Sequence, residues 1–111
     1  MLVPPRTDVT DTGSAYRITA EVPGIPKDRF DIRIHGSSVE IRAEQETAHE
    51  ERTAGFLRRE RYSQGYYRTL ELPGPVVADR ATARVENGVL ELELPKQAPR
   101  PGDGEVRVRV T

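Results

Sequence analysis

Residues 81–96 read ATARVENGVLELELPK. Ala81, Ala83 and Val85 alternate with Thr82, Arg84 and Glu86, and Leu90, Leu92 and Leu94 alternate with Glu91 and Glu93. Each half therefore places its apolar groups on one face of an extended segment. Between the halves stands Asn87-Gly88, a pair that accepts the positive backbone angles of a type I′ turn, whose twist matches that of two antiparallel strands. The stretch predicts a β-hairpin with one apolar face.

The same alternation recurs on both sides of it. AYRITAEVPG (15–24) puts Tyr16, Ile18, Ala20 and Val22 on one face and stops at Pro23-Gly24, so it predicts a strand. RFDIRIHGSSVEIRAE (29–44) alternates twice, Phe30/Ile32/Ile34 and then Val39/Ile41/Ala43, around the turn-forming HGSS, which predicts a second hairpin. Tyr66 to Leu72 predicts a further strand. The segment before it, FLRRERYS (56–63), has Phe56, Leu57 and Tyr62 among charges, which suits an edge strand or a strand lent elsewhere. Gln64-Gly65 separates the two, and EQETAHEERTAG (44–55) reads as a polar, glutamate-rich connection. Residues 47–61 have helix-forming composition and are where a helix competes with the strand reading. Seven or eight short strands at roughly ten-residue spacing predict an all-β sandwich or barrel.

The chain closes with EVRVRVT (105–111), in which Val106, Val108 and Val110 share one face and Arg107 and Arg109 the other. Prolines 99 and 101 and glycines 102 and 104 in the preceding KQAPRPGDG cannot continue a sheet. Such a lone strand needs an apolar groove.

With 111 residues, of which 35% are hydrophobic and 32% charged, the chain suffices for one domain with a narrow core supplied by alternating faces. No run approaches the roughly 20 apolar residues of a membrane span, and MLVPPRTDV lacks the regions of a signal peptide, so a soluble, cytoplasmic protein is expected. The absence of cysteine excludes disulfides and thiolate chemistry, and a net charge of −1 offers no bulk attraction to nucleic acid or membrane. His35 and His49 stand apart. His49 with Glu46, Glu50 and Glu51 reads as a solvated loop rather than a metal site. Serines 14, 37, 38 and 63 lie in turn-like contexts, and PGDG precedes a strand rather than a helix, so neither a nucleophile nor a phosphate cradle is expected. Arg58, Arg59, Arg61 and Arg68 cluster near Tyr62, Tyr66 and Tyr67, but Glu60 and Glu71 interrupt them, which favours ion pairing between strands or subunits over stacking on bases. No cofactor and no enzymatic activity are expected.

Ala83, Asn87, Gly88, Val89 and Leu90, followed by Pro95-Lys96, resemble the A-x-x-x-N-G-V-L signature of small heat-shock proteins of the bacterial and plant type. Residues 15–44, with the V-P-G-I step at Val22 to Ile25, resemble the early part of the same α-crystallin domain, and Tyr66, Arg68, Leu72 and Pro73 match its aromatic-x-R-x-x-x-L-P strand. The resemblance implies an immunoglobulin-like antiparallel sandwich over residues 8–96, a short N-terminal remnant over 1–7, and a C-terminal extension over 97–111 whose V-x-V resembles the family's I-x-I/V motif. It further implies an ATP-independent holdase that binds non-native client proteins, as a homodimer that assembles into larger homo-oligomers.

By the same resemblance, the long segment between Ile41 and Tyr66 carries a strand, about Phe56 to Tyr62, exchanged between subunits. Phe56, Leu57, Arg58, Arg59, Arg61 and Tyr62 would meet the partner's N-terminal strand around Val9, with Arg68 at the interface. A groove formed by Phe30, Ile32, Ile34, Ala83 and Val85 would receive Val106 and Val108, or Val108 and Val110, from a neighbouring subunit or by folding back. The linker, if extended at about 3.1 Å per residue, is long enough for either. Two other classes are weighed against this reading. A co-chaperone of the related sandwich family predicts neither a tail strand nor a strand-bearing insertion. A carbohydrate-binding sandwich predicts exposed aromatic platforms, whereas tryptophan is absent here.

Overall fold

A computed structural model describes residues 1–97 and 106–111; the linker with its prolines and glycines, apart from Lys96 and Gln97, and the side chains of His49 and Val106 lie outside the described residues. The chain forms two facing sheets. One has the order β1-β6-β5-β4-β9, from Leu2–Val3, Phe56–Glu71, Ser38–Thr53, Phe30–His35 and Val106–Val108. The other has the order β2-β3-β8-β7, from Thr7–Asp11, Ala15–Glu21, Val89–Pro95 and Thr82–Glu86. Pairing is antiparallel except for β1, which runs parallel to β6 through Leu2↔Gly65 and Val3↔Tyr66. Among the described residues the only helical elements are single 3-10 turns at Lys27–Arg29 and Ala78–Arg80.

The core is the sum of the inward faces that the alternation predicts. Ile18 and Val22, with Leu90, Leu92 and Leu94, meet Ile32, Ile34, Val39 and Ile41 from the opposite sheet, all of them essentially inaccessible to solvent. Each such side chain contributes about 1.5 to 3 kcal/mol relative to exposure. Their strand neighbours carry the charges outward, which is how a chain with so few apolar residues closes a core.

Two signature stretches meet at one turn. Asn87 (φ 52°) and Gly88 (φ 75°) take the positive angles expected of the β7–β8 connection. The Gly88 carbonyl accepts a 2.7 Å hydrogen bond from the Val22 amide, and a Cβ on Gly88 would stand 3.2 Å from Pro23 Cα. The Asn-Gly turn is thereby packed onto the Val22-Pro23 step, distant in sequence but adjacent in the sheet.

The central segment departs from the sequence reading. Residues 44–55 are not a loop, and 56–63 and 66–72 are not two strands: β5 and β6 are each 16 residues long and pair without a break from Ser38↔Glu71 to Thr53↔Phe56. Ala54-Gly55 turns between them. The outer part, from Glu44↔Gly65 onward, projects about 30 Å at ~3.4 Å per residue, and the chain measures 66 × 27 × 21 Å. Strand alternation is absent there because no second sheet lies beneath the arm, so neither face has a reason to be apolar. Backbone pairing and cross-strand charges hold it instead, with Arg59–Glu50 at 3.7 Å and Arg61–Glu46 at 3.8 Å. Gly65 does not break the strand. It is buried where β6 passes closest to β5: a Cβ at that position would lie 2.0 Å from the Ala43 carbonyl oxygen.

Residues 1–7 are built into the body. β1 extends the sheet beside β6, Pro5 is buried, and the Arg6 carbonyl accepts a hydrogen bond from the Glu21 amide.

Candidate functional site

β4 is the last long strand of one sheet and β7 the edge of the other, so the sandwich is open between them. Ile32 and Ile34 line this opening from β4 and Ala83 and Val85 from β7, with Phe30 half-buried at one end. β9 lies along β4 in antiparallel register, Ile32↔Val108 and Ile34↔Val106. Two residues on, Val110 bridges Ala83 in the parallel sense, and Thr111 donates to the Ala83 carbonyl from its amide at 3.0 Å and its hydroxyl at 3.1 Å. The tail therefore spans both sheets. Val108 and Val110 pack against the core, while Arg107 and Arg109 face solvent. The occupant of the groove here is the chain's own tail.

The outward side of this junction holds an acidic residue that the sequence reading passes over. Asp31 accepts hydrogen bonds from Arg107 Nη2 (3.1 Å) and Nε (3.4 Å) and from Arg33 Nη2 (3.3 Å). Burial pushes the Asp31 carboxyl up, but the hydrogen bonds from Arg33 and Arg107 and their charges together outweigh it and hold it below the ordinary aspartate value. Alternation shows that Asp31 and Arg107 both point outward; only the register of β9 on β4 makes them neighbours.

The residues expected at a subunit interface lie on two separated surfaces. Phe56, Leu57 and Tyr62 are 61%, 48% and 49% exposed on the arm, and Val9 is 46% exposed on β2, which among the described residues pairs only with β3. In the single chain the arm strand pairs with β5 rather than with a β2. Arg58 contacts Glu60 along β6, Arg59 and Arg61 pair across to β5, and the Lys96 ammonium lies 2.7 Å from Asp11 at the end of β2. Arg68 lies in the body at the root of the arm. Its Nη1 donates to the Pro5 carbonyl at 3.4 Å, and its buried Nε has no acceptor among the described residues. Among the described residues, no three histidine or acidic side chains are placed to hold a metal ion.

A family model described as Hsp20/alpha crystallin matches residues 8–111. The chain belongs to that family. Within the Hsp20/alpha crystallin family it is 37% identical over 93 residues to small heat shock protein C2 of Rickettsia felis, covering 84% of this chain and 60% of that protein. It is 36% identical over 92 residues to the 17.6 kDa class I heat shock protein 1 of Arabidopsis thaliana, covering 82% and 59%. The chain thus spans about 60% of the length of these curated relatives. Among solved structures it resembles hspA from Xanthomonas axonopodis (27% identity, TM-score 0.65, 87% of this chain and 97% of that one). It also resembles a small heat-shock protein from Xylella fastidiosa (27% identity, TM-score 0.66, 94% and 95%). These relatives are chaperones of the Hsp20/alpha crystallin type rather than enzymes.

Val108 carries the inner contact of the tail, so Val108→Asp is expected to undock it. The Thr111 amide should lose its protection from hydrogen exchange and a hydrophobic dye should bind the exposed Ile32 and Ala83, while the far-ultraviolet β-sheet signal stays unchanged. Burial of one valine is worth about 1.5 to 3 kcal/mol, enough to shift a three-residue strand from mostly docked to mostly free. An unchanged exchange rate at Thr111 would show that Val108 does not hold the tail.

Proposed function

We propose that this protein is an ATP-independent holdase that captures partly unfolded proteins and keeps them from aggregating. The observation that carries the reading is the β4–β7 groove. It is an apolar slot, open between two sheets, that takes an extended segment by backbone pairing and two β-branched side chains, which is the form in which a non-native chain presents apolar residues. The charged outer faces keep a complex with such a client soluble. Residues 8–96 form the domain and 97–111 the extension. The working unit is a homodimer in which each arm, through Phe56 to Tyr62, adds to the free edge of the partner's β2 near Val9. Larger homo-oligomers follow where tails dock between subunits. A cytoplasmic location belongs to the same reading. Among the described residues no helix is long and apolar enough to cross a membrane.

The direct test is light scattering from a heated client protein with and without this chain, in the absence of nucleotide. Suppression at near-stoichiometric ratios is expected. Scattering unaffected at a severalfold excess would overturn the holdase reading; suppression that appears only when an ATP-driven chaperone is added would favour the co-chaperone class instead.

Arg68 supplies a second prediction. A buried guanidinium N–H without an acceptor costs on the order of 1 to 3 kcal/mol, a cost offset if a partner subunit brings a carbonyl or carboxylate to it. Arg68→Ala is therefore expected to raise the dimer dissociation constant about tenfold, measured by sedimentation. A dissociation constant equal to that of the parent would place Arg68 outside the interface.

A further inference from the structure

Val108 and Val110 are the tail valines that pack against the core, and the residue that follows them makes a polar contact of its own. Val110 bridges Ala83, and the Ala83 carbonyl accepts from the Thr111 amide at 3.0 Å and from the Thr111 hydroxyl at 3.1 Å. That carbonyl is free to do so because of the Asn87-Gly88 turn. A two-residue turn makes Glu86 and Val89 a hydrogen-bonded pair, and antiparallel pairs alternate, so Ala83 and Leu92 form a pair without mutual hydrogen bonds. The backbone of Ala83 therefore points away from β8, out of the edge of the sheet, at a residue that is only 3% exposed. An acceptor in such a place gains from any donor that a docking strand brings.

The Thr111 side chain lies on the outward side of the tail, as alternation from Val108 and Val110 requires. It borders a pocket lined by Thr82, Arg84, Glu91 and Glu93 on the outer face of β7 and β8. The charges there are matched among themselves: Arg84 stands 3.6 Å from Glu91, and Arg17 stands 3.7 Å from Glu91 and 3.8 Å from Glu93. Such a surface offers an apolar side chain little to pack on and suits a neutral polar one.

We propose that Thr111 is a specificity-determining residue of the β4–β7 groove, whose occupant, the tail of this chain, is read over four residues: two apolar side chains one residue apart, followed directly by a hydroxyl. The inference rests on the groove being the docking site of the tail. Val108 and Val110 are held by area and shape, which any apolar-x-apolar strand supplies. The hydroxyl is read by a single acceptor whose direction the β7–β8 register fixes. It distinguishes the tail from an apolar-x-apolar segment that lacks a hydroxyl at the fourth place.

The test uses the full chain carrying Val108→Asp and Val110→Asp, whose own tail leaves the groove free and whose β-sheet signal matches that of the parent. It is titrated with the acetylated peptides EVRVRVT, EVRVRVV and EVRVRVS. The threonine peptide is expected to bind about threefold more tightly than the valine peptide, which has the same branched shape without the hydroxyl, in keeping with one neutral hydrogen bond. The serine peptide keeps the hydroxyl and is expected to bind nearly as tightly as the threonine peptide. In the otherwise unaltered chain, Thr111→Val should lower the exchange protection of the amide at position 111 by about threefold, and Thr111→Ser should keep it. A valine peptide as tight as the threonine one, or a serine peptide as weak as the valine one, overturns the role of the hydroxyl while leaving the groove as a docking site. Failure of all three peptides to bind overturns the groove as a docking site, and the specificity with it.

Discussion

Replacing residues 46–63 by a two-residue Asn-Gly turn is expected to convert the proposed dimer to a folded monomer. The register makes this surgery clean: Gln45 pairs with Gln64, so the new turn closes an existing antiparallel pair of the same two strands. The part of the β5–β6 ladder that covers the core, Ser38 to Glu44 against Gly65 to Glu71, is retained. Phe56, Leu57 and Tyr62 are the large apolar groups removed, and each is about half exposed or more, so the core loses nothing. What disappears is the strand that the proposed dimer lends to β2. Dissociation should increase by three orders of magnitude or more, equivalent to about 4 kcal/mol, with little change in the midpoint of thermal unfolding at low concentration. Sedimentation over a hundredfold range of concentration reads the outcome directly. A dimer that persists would mean that subunits meet through another surface, and the exposed arm would need a different partner.

Gly65→Ala is expected to cost about 3 kcal/mol or more, at the upper end of what a single added methyl group does in a packed interior. The added carbon would fall 2.0 Å from the Ala43 carbonyl oxygen, 2.8 Å from Glu44 Cα and 2.9 Å from the Ala43 carbonyl carbon. All three are backbone atoms, so no rotamer change relieves the overlap and β5 must move away from β6. The displacement would fall where β1 also pairs, since Leu2 stands beside Gly65 on the other edge. A fall in the unfolding midpoint of roughly 10 °C or more is expected. The exposed neighbour Gln64→Ala serves as the reference. If the two variants melt within about 2 °C of each other, the close approach of the two backbones at Gly65 is not what stabilises the root of the arm.

Much of the sandwich is written locally in the chain. Alternation is imposed on any strand with one buried face, so Tyr16 to Val22, Phe30 to Ile34, Val39 to Ala43 and Leu90 to Leu94 declare both their conformation and their inner side without reference to a partner. The Asn87-Gly88 turn is equally local, because it follows from backbone angles that few other residues accept. The inward faces of Ile32, Ile34 and Ala83, and the two-sided tail with Val108 and Val110 opposite Arg107 and Arg109, were legible for the same reason, whereas a groove between those two strands was implied by the family resemblance alone. Residues 44–65 were not, because an arm without a sheet beneath it has no buried face to mark its strands, and because the glycine that ends many strands is here the one residue small enough to let two strands pass. Which strand lies beside which was also beyond local patterning: the parallel pairing of β1 with β6, the seating of the tail in its own chain's groove, and the meeting of Asp31 with Arg107 and Arg33 depend on residues tens of positions apart. An alternating pattern states that a strand has an inside and an outside, and only the folded chain, by fixing register between distant segments, decides what each side touches.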